Sequence, residues 1–87
     1  MKPTVSPDAL VAHLDNEVVL LHAGTKEYFR LNETGQAVWR LLEQGLDVDA
    51  IVERIVAEFD VAPDTAAAEI DRLLGELAQA DLLVWSQ

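Results

Sequence analysis

A small α+β domain, with a three-stranded antiparallel sheet followed by three helices (βββααα), is the fold class this sequence predicts. Three observations carry it. Between Leu10 and Leu31 apolar residues alternate in short runs separated by Asp15-Asn16 and Ala23-Gly24-Thr25, the pattern of a meander. From Glu33 onward the apolar spacing changes to that of helices. With 87 residues there is room for one modest core and no more.

The elements follow in order. Residues 1–9 carry two prolines and little pattern, and are expected as a flexible N-terminal arm; residues 10–85 are expected as the single domain. Leu10 to Leu14 and Glu17 to His22 flank a two-residue turn. Ala23-Gly24-Thr25 then leads into a third strand, Lys26 to Leu31. Counting across these turns puts Leu10, Ala12, Leu14, Val19, Leu21, Phe29 and Leu31 on one face. Val11, His13, Val18, Leu20, His22, Tyr28 and Arg30 fall on the other, the face away from the helices. A bulge in the second turn changes this count. Asn32 joins the third strand directly to a helix over Glu33 to Gln44, whose apolar side is Val38, Trp39, Leu41 and Leu42. Gly45 terminates it. Asp47 caps a second helix that carries Ile51, Val52, Ile55, Val56 and Phe59. Pro63 opens a third that runs to about Ala80, with Ala66, Ile70, Leu73, Leu74 and Leu77 inward. Leu82 to Trp85 either packs on the core or forms a brief strand. A sheet of three strands needs one face covered, so the helices must cover it.

Composition excludes several functions. Six basic residues against sixteen acidic ones give a net charge of −10, which disfavours phosphate-backbone binding and favours cationic partners. Read as a helix-turn-helix, the third helix offers only Arg72 and Gln79 among four carboxylates, so no nucleic-acid partner is expected. There is no cysteine, no signal-peptide-like apolar run and no segment of membrane-spanning length; a cytoplasmic protein with no membrane partner is the expectation. His13 and His22 lack a third ligand at metal-binding spacing, and Asp47-Val48-Asp49 is not followed by the rest of a calcium loop. No hydroxyl sits in a triad-like arrangement, no glycine-rich phosphate loop is present, and an acyl carrier's modifiable serine is missing. Neither catalysis nor a cofactor is expected.

What remains is the edge of the sheet. A meander leaves its first and third strands unpaired on one side, and an extended peptide can add there. An edge that binds nothing is the competing reading. Val18, Leu20 and Tyr28, on the face expected to be uncovered, mark a second possible surface for a partner or for a weak homodimer of an otherwise monomeric chain.

The stretch Tyr28-Phe-Arg-Leu-Asn-Glu-Thr-Gly-Gln-Ala-Val-Trp39, with Leu41-Leu42, Glu58-Phe59-Asp60-Val61 and the closing leucine-rich helix, resembles the PqqD family. These are leader-recognition domains of ribosomally made, modified peptide pathways. The resemblance implies a winged-helix-like fold in which a precursor's leader peptide adds to the third strand, packs against the third helix and is delivered to a separate maturation enzyme. It is most like the stand-alone leader-binding protein of lasso-peptide pathways, which works with a leader peptidase. A chaperone for a radical S-adenosylmethionine enzyme, as in the pyrroloquinoline quinone namesake, is the alternative; an interaction module that binds no extended peptide is another. Carried onto this chain, the resemblance puts the backbone of Glu27, Tyr28, Phe29, Arg30 and Leu31 on one wall of the groove. Ala67, Ile70, Asp71, Leu74 and Ala78 form the other. For Phe29, Ile70 and Leu74 a place in the core is the competing expectation.

Overall fold

Asn32 marks the point where strand becomes helix, and the rest of the molecule is laid out from it. In the computed structural model, which describes residues 2–86, the order is β1 (Lys2–Val5), β2 (Ala9–Leu14), β3 (Glu17–His22), β4 (Tyr28–Leu31), α1 (Glu33–Glu43), α2 (Val48–Phe59), α3 (Pro63–Gln79) and β5 (Leu83–Ser86). The Asn32 carboxamide oxygen accepts from the Gly35 N–H at 2.8 Å, and Glu33 stands in the first turn against the positive end of the helix dipole. A Cβ on Gly35 would lie 3.2 Å from Leu31 Cδ2 and 3.3 Å from Asn32 Oδ1, so glycine here lets strand end and cap lie tight on the helix. At its other end α1 closes on Gly45, at φ +85°, with Leu46 N–H donating to Leu41 O and Gly45 N–H to Leu42 O. Asp47 caps α2 through a 2.9 Å bond from Ala50 N–H, and Pro63 opens α3.

β2, β3 and β4 form the expected antiparallel meander. The N-terminal residues do not form the expected arm. β1 pairs with β5 antiparallel, from Lys2 opposite Ser86 to Val5 opposite Leu83. Thr4 Oγ1 donates to Val84 O at 2.9 Å, Ser86 Oγ donates to Lys2 O at 3.2 Å, and Pro3 is fully buried. Prolines argue against a central strand, but a two-stranded ribbon leaves one side of each strand unpaired, where a proline fits.

The face assignment also changes, and one residue accounts for it. His22 N–H donates to Glu27 O at 2.9 Å, so four residues, Ala23 to Lys26, form the loop instead of three. Lys26 takes a left-handed conformation at φ 68°, and β4 begins at Tyr28 rather than Lys26. A slip of one residue exchanges the faces of a strand. Phe29 and Leu31 therefore lie opposite Leu20 and Val18, and these, with Val11 and His22, face the helices. Val18, Leu20 and His22 are buried, while Leu10, Leu14 and Tyr28 are exposed. His22 completes the loop: its Nδ1 accepts from the N–H groups of Gly24 and Thr25 at 3.0 and 3.1 Å.

The core lies between this inner sheet face and the three helices. Leu20, Val38, Trp39, Ile51, Ile55, Ile70, Leu74 and Leu77 are each 2% exposed or less. Leu82 and Leu83 extend it beneath the β1–β5 ribbon.

Candidate functional site

β4 is the outer strand of the meander, and its pairing with β3 decides which of its backbone groups are free. Residues across an antiparallel pair alternate between bonded and non-bonded positions. Because His22 and Glu27 are a bonded pair, Leu20/Phe29 and Val18/Leu31 are bonded as well. The N–H and C=O of Phe29 and Leu31 are thus turned inward; at Glu27 only the C=O pairs with β3, since His22 O accepts from Lys26 N–H and Glu27 N–H donates to Thr25 Oγ1 at 3.2 Å. Only Tyr28 and Arg30 present both main-chain groups outward. Their side chains lie on the outer sheet face, with Tyr28 67% exposed, while Phe29 is half-buried and Leu31 buried on the inner face.

A concavity of about 390 Å³ runs between this edge and α3. Phe29, Arg30, Leu31 and Asn32 line one side, and Arg72, Leu73 and Glu76 the other. At Asn32 and Gly35 it adjoins a smaller pocket of about 80 Å³ lined by Val38, Ile55, Phe59, Val61 and Leu73, with Glu69 and Arg72 at its rim. The charges of the groove are paired among themselves. Arg30 Nη1 stands 3.7 Å from Glu17 Oε1, and Arg72 Nη1 donates to Glu76 Oε2 at 3.1 Å. Both pairs are well exposed, a setting in which such a bond contributes about 0.2–1 kcal/mol, so an incoming chain can exchange them at little cost. In a chain of net charge −10 this groove is nearly balanced in sign.

The expected helical wall is only partly assembled. Ile70 and Leu74 are core residues; Ile70 reaches the smaller pocket, and Leu74 lines neither concavity. Ala67 and Asp71 lie on the opposite flank of α3, beside Val48 and Val52 of α2, and Ala78 is packed against the core. The wall facing β4 is formed instead by Arg72, Leu73 and Glu76, none of which was expected there from the sequence. Leu73 carried the available signal, being an apolar residue one step off the Ile70–Leu74–Leu77 stripe.

Elsewhere the chemistry is sparse. His13 is exposed and His22 has its loop-closing role; among the described residues no three His, Cys, Asp or Glu side chains group to hold a metal ion. No helix among the described residues is long and apolar enough to cross a membrane. The uncovered sheet face carries Leu10, Leu14 and Tyr28, with Val19 and Leu21 half-buried between them. Val18 and Leu20, expected there, lie beneath the helices.

A model of one family, described as coenzyme PQQ synthesis protein D, matches residues 17–83, which include β3, β4 and all three helices. The chain belongs to the PqqD family. Among solved structures, TbiB1 in complex with the TbiA(beta) leader peptide is 38% identical, with a TM-score of 0.88 over 97% of this chain and 98% of that one. A lasso peptide synthetase B1 complexed with its leader peptide superposes equally well, at a TM-score of 0.88 over 98% of this chain and 100% of that one. At 24% identity that second likeness shows the fold alone. No curated protein sequence gives a significant match. The likeness to TbiB1 covers 97% of the chain and so extends beyond the residues the family model spans, toward β1 and β5.

Proposed function

We propose that this PqqD-family protein is a non-catalytic adaptor that captures the leader peptide of a ribosomally made precursor, as a strand added to β4 against α3. The observation that carries the reading is the free edge at Tyr28 and Arg30, set beside an apolar-floored groove in a fold shared with a 38%-identical leader-binding relative. Two residues with both main-chain groups outward offer four hydrogen bonds. At roughly 0.5–1.5 kcal/mol each these contribute about 2–6 kcal/mol, against an ordering cost of about 2–5 kcal/mol for a flexible peptide. Main-chain pairing alone therefore leaves little net affinity, whereas a micromolar complex needs about −8 kcal/mol. The difference must come from apolar leader side chains set against Phe29 and Leu73 and into the adjoining pocket.

The bound precursor is then presented to a separate maturation enzyme, a leader peptidase in a lasso-type pathway. Strand addition would also place alternate leader side chains on the outer sheet face beside Tyr28, Leu21 and Leu10, a surface on which that enzyme can dock. The test is titration of a labelled leader peptide of a lasso-type precursor, with amide exchange followed by residue. Tyr28 and Arg30 amides should gain protection while those of Phe29 and Leu31, already bonded to β3, change little. Equal binding of an unrelated peptide, or protection elsewhere with none at Tyr28 and Arg30, would refute it.

A further inference from the structure

The sheet has a second free edge, and the residues that expose it also line a cleft. Ala23 N–H donates to Asp8 O at 2.8 Å, which makes Leu10/Leu21 and Ala12/Val19 the bonded pairs of β2 with β3. The main-chain groups of Val11 and His13 are left pointing outward. The same two residues line a concavity of about 380 Å³ whose opposite wall is α1, through Gln36, Trp39, Arg40 and Glu43. Trp39 is 2% exposed, and its indole N–H is the one buried side-chain polar atom among the described residues with no hydrogen-bond partner. Buried donors are nearly always satisfied, so one left without a partner just beneath the surface of a cleft that its own residue lines points to an acceptor supplied from outside.

Charge narrows what supplies it. The cleft carries three carboxylates, Glu33, Glu43 and Glu58, against Arg40, which stands 3.9 Å from Glu58. Among the described residues neither Glu33 nor Glu43 has an ion-pair partner. A second copy of this chain, with sixteen acidic residues and six basic, would bring like charge to like. We propose that the β2–α1 cleft is a second docking groove, which receives an extended, lysine- or arginine-bearing segment of a partner protein. Its main chain pairs with Val11 and His13, and one of its carbonyl groups accepts from Trp39 as the indole adjusts to meet it. This cleft shares no lining residue with the β4–α3 groove, meets the pocket adjoining that groove only at Phe59, and lies on the opposite edge of the sheet, so both can be filled at once. The assignment is independent of what β4 binds.

The experiment uses the full chain and two synthetic probes, an alternating lysine–valine octapeptide and its glutamate–valine counterpart, with nitrogen-15 spectra and amide exchange as readouts. The basic probe should shift the Trp39 indole resonance downfield and protect the Val11 and His13 amides; the acidic probe should do neither. Glu43→Gln, at an exposed position, should weaken the basic probe about two- to five-fold. Three results overturn the proposal: Val11, His13 and Trp39 unmoved at saturation while only Tyr28 and Arg30 respond, equal responses to both probes, or the same shifts on raising protein concentration alone.

Discussion

A proline at position 30 separates strand addition from every reading in which β4 merely contributes side chains. Arg30 N–H faces away from β3, so Arg30→Pro leaves the Leu20/Phe29 and Val18/Leu31 bonds in place. Its stability cost is the exposed ion pair with Glu17, under about 1 kcal/mol, plus a small backbone adjustment. For a domain of this size 1 kcal/mol is about 4–8 °C in Tm, so the variant should stay folded. Its leader complex loses the Arg30 donor, and the ring holds the incoming strand off, so that its N–H no longer reaches the Arg30 C=O. Two lost bonds amount to about 1–3 kcal/mol, or roughly 5- to 150-fold in Kd. Arg30→Ala, which keeps the N–H, measures the side chain alone. Phe29→Pro, one position away, removes a bond inside the ladder and should unfold the sheet. Fluorescence polarisation with labelled leader gives the affinities and thermal melts give the folded state. Arg30→Pro binding as tightly as Arg30→Ala, both folded, would refute strand addition at this edge.

Further expectations bear on the same surfaces. Leu73→Ala should weaken leader binding by about tenfold, while Asp71→Ala, on the far flank of α3, should change it by less than about two-fold in the same assay. Gly75 lies inside α3, and a Cβ added there would meet nothing within 4 Å. Gly75→Ala should therefore raise stability by about 0.5–1 kcal/mol, seen as a higher urea midpoint, with leader affinity unchanged. Asn32→Ala removes the bond to Gly35 N–H and should cost about 0.5–2 kcal/mol in urea unfolding; a loss near zero would show that the β4–α1 junction is held by packing alone.

Much of this architecture can be read in the residues because local rules act at short range. Asn32, Asp47 and Pro63 open helices where capping chemistry puts them, and the apolar spacing from Val38 to Leu77 shows which sides are buried. The strand–cap–helix junction was legible for the same reason. Register was not. Whether three or four residues lie in the loop between His22 and its paired partner depends on the left-handed Lys26 and on the two N–H groups gathered by His22, neither of which leaves a periodic trace. The helical wall of the groove failed on a related point. The stripe Ile70–Leu74–Leu77 has two flanks, and only tertiary packing decides that Arg72, Leu73 and Glu76 face β4 while Ala67 and Asp71 face α2. The β1–β5 pairing spans nearly the full chain, and no local pattern in residues 2–5 announces it.

That pairing sets an order of assembly. β2, β3, β4 and α1 are contiguous from Ala9 to Glu43, and the three strands pair only with their neighbours in sequence, whereas Val5 waits for Leu83. During synthesis at about 5–20 residues per second, the meander and its capped helix are made roughly 2–8 seconds before the last strand is. The short-range pairings of the meander are therefore expected to form before the termini join, with the closing of β1 onto β5 last. A lesion in the ribbon should therefore slow completion of the domain and speed its opening from the ends, leaving the geometry at Tyr28 and Arg30 the last to be lost.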